Sequence, residues 1–391
     1  MTPQQRRRMV SAVRRGVSQR AVARRFGVPL STVQHWVCRA QGRRLDRVDW
    51  TDRSRAPRHP HRTPVGLEQK VLDVRRWLKQ YSALGEYGAP AIYGEIQRRC
   101  IPSCPSIATI SRILQRHGVL DACRRIRRPP PPKGWYLPEV AARRVELDSF
   151  DTIEGLAIRG GPHLTVFTGI SLHGGWVIAW PQRRLNAQDV VQRLLEYWRV
   201  NGLPAYAQFD NDQRFSGPRQ YANTLGRVAR LCLLLGVTPV FVPPNETGFQ
   251  AAIESFNARW QSKVWSRFQH SSLYCLKRRS LRYLAAVRQR HAARIEASPA
   301  RRPFPQRWSL NWQKPLRGIV IFLRRTDDRG RVNILGHSYQ VSPNWVHRLV
   351  RAEVDLSQLV IRFYTLRRRE PNDQPLLREV AYAFPHRPFK E

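Results

Sequence analysis

Apolar and polar positions run through this chain in three successive rhythms. Between Ser18 and Cys38 the apolar residues fall at helical spacing. Ser18 can cap a helix that buries Ala21, Val22 and Phe26, Gly27-Val28-Pro29 breaks it, and Ser31 can cap a second helix. That second helix carries Val33, Trp36 and Val37 on one stripe and Gln34, His35, Cys38 and Arg39 on the other. Residues 1–42 therefore predict a helix-turn-helix domain, with 43–65 a basic, proline-containing linker. The helical rhythm resumes over 66–122, where Leu67, Val71, Val74 and Leu78 mark one helix and residues 92–96 a second. Ser106 starts a third that ends at Gly118, which makes this a second helical DNA-binding domain. Residues 123–140 hold a Pro/Arg-rich run, Arg124 to Pro138, that reads as an extended linker.

From residue 141 the period shortens to that of strands. Runs at 145–150, 163–170 and 175–180 predict three strands, followed by a helix over 187–200 and a strand over 205–209. A helix through Leu225, Val228 and Leu231, a strand at 238–242 and a helix from Phe249 past Trp265 complete the segment 141–268. Residues 269–310 read as a basic helical connector. Short strands separated by turns over 311–391 predict a small β-barrel. The fold class expected is multidomain: all-α helix-turn-helix modules, a central α/β core whose element order is that of a ribonuclease-H-like domain, and a carboxy-terminal barrel.

Charge narrows the partner. The chain has 391 residues, with 68 Lys+Arg against 28 Asp+Glu and a formal net charge of +40. Such a surface calls for a polyanion, and the helix-turn-helix pattern favours double-stranded DNA over an acidic membrane. Gln34, His35 and Arg39 are the residues expected to reach DNA from the second helix. No apolar run is long enough for a membrane span, the amino terminus lacks the apolar stretch of a signal peptide, and a cytoplasmic protein is expected. Cys100 and Cys104 lie close together with His117 downstream, but no second pair completes a tetrahedral zinc set.

Against this cationic background three acidic positions stand out: Asp148 in Val-Glu-Leu-Asp, Asp210 in Phe-Asp-Asn-Asp, and Glu254 in Ala-Ile-Glu-Ser-Phe-Asn. Asp148 lies in the first strand, Asp210 ends the fourth, and Glu254 opens the late helix. In the expected fold these elements meet at one edge of the sheet. Carboxylates so placed can clamp two Mg²⁺ ions, with Mn²⁺ able to substitute, beside a phosphodiester. Asp148, Asp210 and Glu254 are thus the expected metal ligands and catalytic residues. Asp151 is a rival on the other face of the first strand, and Asp212 a rival to Asp210. Asn257, one turn beyond Glu254, is a candidate for contact with a DNA end.

These motifs resemble those of the DDE transposases and integrases of the retroviral-integrase superfamily, especially bacterial insertion-sequence transposases. The resemblance rests on Val-Glu-Leu-Asp148, on Phe-Asp210-Asn211-Asp212-Gln-Arg-Phe215, and on Pro244 ten residues before Glu254-Ser-Phe-Asn257. It implies a polynucleotidyl transferase that binds the ends of a mobile element, cleaves strands and joins them to target DNA. It also implies a homo-oligomer on DNA, a nucleoid-associated location in a bacterium, and a barrel like that of Mu-type transposases. The chain departs from the pattern in several places. Asp212 and Ala251 stand where Gly is usual, Ser255 where Arg is common, and the interval from Asp210 to Glu254 is long, with the excess near residues 216–227. A catalytically silent, transposase-derived DNA-binding regulator is the alternative.

Overall fold

A computed structural model describes residues 1–52, 63–120, 133–217, 222–246, 248–368, 370–385 and 389. The chain divides into two compact units, Met1–Glu68 and Gln69–Glu391.

The first unit is built on α1 (Pro3–Arg14), α2 (Gln19–Phe26) and α3 (Leu30–Ala40). Thr2 and Gln5 form a capping box on α1, and Ser18 Oγ accepts from the amide of Ala21 to cap α2. Gly27 ends α2 at φ 62°, the left-handed conformation that the turn into α3 requires. Ser31 does not cap α3: the helix begins one residue earlier behind Pro29, with no side-chain cap. Met9, Val10, Val22, Val33 and Trp36 form the core, and Val48 and Trp50 join it. The start of the expected 43–65 linker is therefore part of the domain, because Val48 and Trp50 bring apolar surface that only this core can cover. Residues 53–62 of that linker lie outside the described residues.

The helix α4 (Val65–Tyr81) runs across the division at Glu68, and in the second unit its later turns pack with α5 (Ala89–Arg98) and α6 (Ile107–Arg116) around Val71, Val74, Ile92, Ile96, Ile110 and Ile113. Ser106 caps α6 through the amide of Thr109. Residues 121–132, most of the expected Pro/Arg spacer, lie outside the described residues. Its end is not extended: Trp135, Tyr136 and Leu137 are buried and lead into α7 (Pro138–Ala141). Three consecutive large apolar side chains have more to gain from the core than from solvent.

The central layer is one nine-stranded sheet. Its first half holds β1 (Leu147–Ala157), β2 (His163–Ser171), β3 (Val177–Gln182), β4 (Tyr206–Phe209) and β5 (Thr238–Phe241). The first three are antiparallel neighbours, and β4 and β5 run parallel to β1, in the order β3-β2-β1-β4-β5. This half of the sheet is therefore mixed, antiparallel on one side of β1 and parallel on the other. Crossovers are supplied by α8 (Ala187–Asn201), the short α9 (Gln213–Ser216) and α10 (Arg227–Leu234). On one face, Phe150, Phe167 and Phe209 stack beneath Trp198 of α8. Gly169 of β2 lies under this stack, where a Cβ would come within 2.7 Å of Phe150. The other face is covered by α11 (Ala251–Trp260), which runs into a π-helical turn (Gln261–Trp265), and by α12 (Leu273–Arg290), followed by α13 (Ala292–Glu296). The expected connector is thus a structural layer: Trp260 Nε1 donates to Ser280 Oγ of α12, and Arg288 donates to the carbonyl of Val177 in β3.

The carboxy-terminal strands do not form a separate barrel. β6 (Ile319–Arg325) pairs parallel with β5 through Val240↔Ile321 and Phe241↔Phe322. β9 (Leu349–Asp355), β10 (Val360–Thr365) and β11 (Leu376–Ala381) then extend the same sheet, while β7 (Arg331–Ile334) and β8 (His337–Gln340) form a small hairpin. The reason is visible in β6, where Val320, Ile321, Phe322 and Leu323 are all buried. Consecutive burial marks a strand covered on both faces, not the alternating strand of a small barrel.

Candidate active site

The parity of β1 decides which acid faces what. Successive strand residues point to opposite faces, so Asp148 and Asp151, three apart, look in opposite directions. Asp148 shares a face with Phe150 and points at α8. It is fully buried, accepts from Trp198 Nε1 at 3.1 Å, and is gripped by Arg301, whose Nη1 lies 2.9 Å from Oδ1 and Nη2 2.5 Å from Oδ2. Arg301 is held charged by this carboxylate despite its own burial. A fully buried carboxylate with both oxygens engaged by cationic and indole donors is not presented to an ion in solvent. The expectation that Asp148 is a metal ligand is corrected here: its role is a buried ion pair.

Asp151 takes the place expected of Asp148. It points to the α11 face with Ile153, which packs beside Ile253 and Phe256. The parallel register pairs Ser149 of β1 with Gln208 of β4, so Asp151, midway along β1, comes level with Asp210 just past the carboxyl end of β4. Burial raises the Asp151 pKa to about 6, opposed by the hydrogen bond from the Thr152 amide; repulsion from Asp210 and Glu254 adds to the rise. Asn257, one turn beyond Glu254, bonds Asp151, so the helix that carries Glu254 lies against this strand. Asp210 is also raised, chiefly by burial; its Oδ1 accepts from the amide of Asp212. Glu254 is exposed in the first turn of α11.

Several side chains hold this arrangement. Tyr136 hydroxyl bonds Gln208 Oε1, and Gln208 Nε2 donates to the carbonyl of Phe249, tying β4 to the segment that launches α11. Asn211 Nδ2 donates to the Val242 carbonyl at 2.6 Å, and its Oδ1 accepts from Arg324 of β6, which joins the Asp210 loop to β5 and to the extended sheet. Asn257 is buried, and its Nδ2 donates to Asp151 Oδ2 at 2.7 Å. It therefore orients Asp151, and the expectation that it contacts DNA is corrected, because its amide is turned inward.

Asp212 does not compete with Asp210. It caps α9 and binds Arg214, whose Nη2 lies 2.6 Å from Asp212 and 2.5 Å from Glu154. That hydrogen-bonded guanidinium holds Asp212 below the usual carboxylate range. Glu154 reaches Arg214 from a bulge in β1 where Gly155 takes φ 74°.

The donor set suits a hard divalent cation: three carboxylates, two of them with raised pKa, have repulsion that such an ion would relieve. Among the described residues no three Asp, Glu, His or Cys side chains lie close enough to clasp an ion as they stand.

In the first unit, Gln34 and His35 are exposed on α3. Arg39 is not free for bases: it donates to Asp49 Oδ2 and to the Thr51 carbonyl and lies 4.9 Å from the Trp36 ring. It fastens the 49–51 segment to α3, a correction to the expected DNA contact. Among the described residues no helix is long and apolar enough to cross a membrane.

Residues 1–48 match a homeodomain-like domain family. A comparison with curated proteins gave no match. Among solved structures, the chain is similar to a chain of the simian T-cell lymphotropic virus intasome in complex with PP2A regulatory subunit B56 gamma (13% identity, TM-score 0.33, covering 68% of this chain and 84% of that one). It is also similar to the catalytic core domain of BIV integrase (16% identity, TM-score 0.28, 36% and 81%). A third likeness is to the HTLV-2 integrase catalytic core domain in complex with magnesium (11% identity, TM-score 0.27, 40% and 87%). Scores this low add no weight to the topology and carboxylate geometry. The chain thus joins a homeodomain-like module over residues 1–48 to a second unit built on a mixed sheet.

Proposed function

We propose that this chain is a DNA transposase that binds the ends of its element and carries out metal-dependent strand cleavage and strand transfer. The observation that supports the proposal is the placement of Asp151 on β1, Asp210 just beyond β4 and Glu254 on α11, with Asn257 of that helix bonded to Asp151. Asp151, Asp210 and Glu254 would hold two Mg²⁺ ions, or Mn²⁺ in their place. The bound ions would supply activation of the attacking oxygen and charge neutralisation at phosphorus. In the first step a water oxygen bonds to phosphorus and the P–O3′ bond breaks, leaving a 3′-hydroxyl. In the second, that hydroxyl oxygen attacks a target phosphodiester and a target 3′-oxygen leaves. Asn257 and the Thr152 amide fix the rotamer of Asp151, and Arg214 keeps Asp212 and Glu154 out of the ligand set. The helix-turn-helix would present Gln34 and His35 to the end sequence. Two ends must be joined in one event, so a homo-oligomer on DNA is part of the proposal.

The test is strand cleavage and transfer on labelled DNA from the flanks of the gene, in Mg²⁺ or Mn²⁺. Asp151→Asn, Asp210→Asn and Glu254→Gln should each lower product formation by about a thousandfold or more, equivalent to at least about 4 kcal/mol of barrier. Product from Asp151→Asn at the wild-type rate would overturn the assignment. A second reading, a silent DNA-binding regulator, is favoured by the open arrangement of the acids. It requires binding by the wild type without metal-dependent product.

A further inference from the structure

A cavity of about 310 Å³ opens beside the first turns of α11, on the helix that carries Glu254. Its walls include Trp135 and Phe249, whose rings lie 5.4 Å apart, and its rim includes Lys133, Ser255, Arg259 and Arg294. Arg143 adds a further positive charge felt by both Lys133 and Arg294. None of these four cations makes an ion pair with a carboxylate among the described residues. Glu146 is the acid that Lys133 and Arg294 feel, and its two oxygens accept from the amides of Leu147, His173 and Gly174. Burial, then crowding by Arg294 and Arg143, lowers the Lys133 pKa. Four cations near a single carboxylate are stabilised by a further anion, which Lys133, Arg259 and the Nη1 of Arg294 could meet while Arg294 Nε and Nη2 hold the carbonyls of His173 and Leu172, and aromatic walls suit a flat ring. The volume is at the small end of ligand sites and has room for one nucleotide.

We propose that this cavity receives one unpaired nucleotide of a DNA strand, its phosphate between Lys133, Arg259 and Arg294 and its base against the Trp135–Phe249 wall. The proposal rests on the reading that the chain acts on DNA, and is independent of the metal chemistry. A strand seated there would pass Ser255 on its way to Glu254, which gives the cavity a positioning role for the strand end.

The test is photocrosslinking of the full chain to a short single strand containing 5-iodouridine, with the modified peptide identified by mass spectrometry. Crosslinks to the peptide bearing Trp135 or Phe249 are expected. Ser255→Trp, which fills the opening from an exposed helix position, should reduce that crosslink at least tenfold. Arg259→Glu should reduce it similarly and flatten the salt dependence of single-strand binding by about 0.7 in log–log slope, the amount expected when one phosphate is no longer neutralised. Neither variant removes a buried side chain, and an unchanged thermal melt would establish that each is folded. Crosslinks confined to other segments, or unaffected by Ser255→Trp, would overturn the proposal. Crosslinking at this cavity without metal-dependent cleavage would sink the transposase assignment and leave the cavity standing; cleavage without the crosslink would do the reverse.

Discussion

Asp151→Asn should stabilise the folded chain at neutral pH, and the gain should vanish in acid. Asp151 in the fold has a pKa of about 6 against an ordinary 3.8, so the folded state holds this proton more tightly than the unfolded state does. A raised pKa contributes stability that is present below 3.8 and lost as pH climbs through 6. Above pH 6 the ionised carboxylate costs at most about 3 kcal/mol, from roughly two pKa units at 1.36 kcal/mol each. Because Asp151 is partly exposed, solvent screening reduces this to about 1–2 kcal/mol. Asparagine keeps the shape and removes the charge. Its oxygen can still accept from the Thr152 amide, and its new amide can donate to Asn257 Oδ1, a buried atom with no partner in the wild type, once the Asn257 amide flips. Urea denaturation of wild type and variant at pH 4 and pH 7.5 measures the difference. The variant should be more stable by about 1–2 kcal/mol at pH 7.5 and equal to wild type near pH 4. Millimolar Mg²⁺ at pH 7.5 should narrow the gap by stabilising the wild type alone. A variant that is neutral or destabilised at pH 7.5, with no dependence on pH, would refute the idea that burial, reinforced by Asp210 and Glu254, penalises the ionised Asp151.

Asp148→Asn should behave in the opposite manner, costing about 3 kcal/mol by leaving Arg301 buried with half a partner, while the double change Asp148→Leu, Arg301→Met recovers much of the loss in a denaturation cycle. Below its melting temperature, Asp148→Asn should retain strand cleavage. In the first unit, Gln34→Ala or His35→Ala should weaken binding to element-end DNA about tenfold without moving the melt, since each deletes about 1.4 kcal/mol of base contact. Arg39→Ala should lower the melt of that unit, by about 1 kcal/mol of pairing and stacking on Trp36, more than it changes base preference.

The helical rhythm of residues 18–38 and the strand rhythm after 141 are legible because each element buries one face, and burial imposes a period. The same logic cannot choose between Asp148 and Asp151. Both lie in an apolar strand, and parity becomes informative only once α8 and α11 are known to cover opposite faces. The register Ser149↔Gln208 supplies what is missing, since it brings Asp151 level with Asp210. One signal is present in the sequence: Asp151 lies further toward the carboxyl end of its strand, where ligands gather in α/β sheets. The partner of Asp148 cannot be anticipated, because Arg301 is one of many arginines and is far away along the chain. Asn257 stands out by position but not by role, since exposure of a helix face cannot be told from its sequence when neighbouring strands cover it. The expected barrel fails at β6, whose unbroken run of buried apolar residues argues for a strand covered on both sides.

The pairing of β5 with β6 also governs how the molecule is made. Between Phe241 and Ile319 lie α11, α12 and α13, so the edge of β5 must wait for all of them to emerge from the ribosome before its neighbour arrives. During that interval the nascent core presents an unpaired strand edge, a template for pairing with another chain. A product cut short before Ile319 would be an unfinished sheet with Phe241 stripped of the Phe322 ring that stacks on it, and not a smaller stable core. Shortened copies of such a gene would then yield protein that aggregates or is degraded.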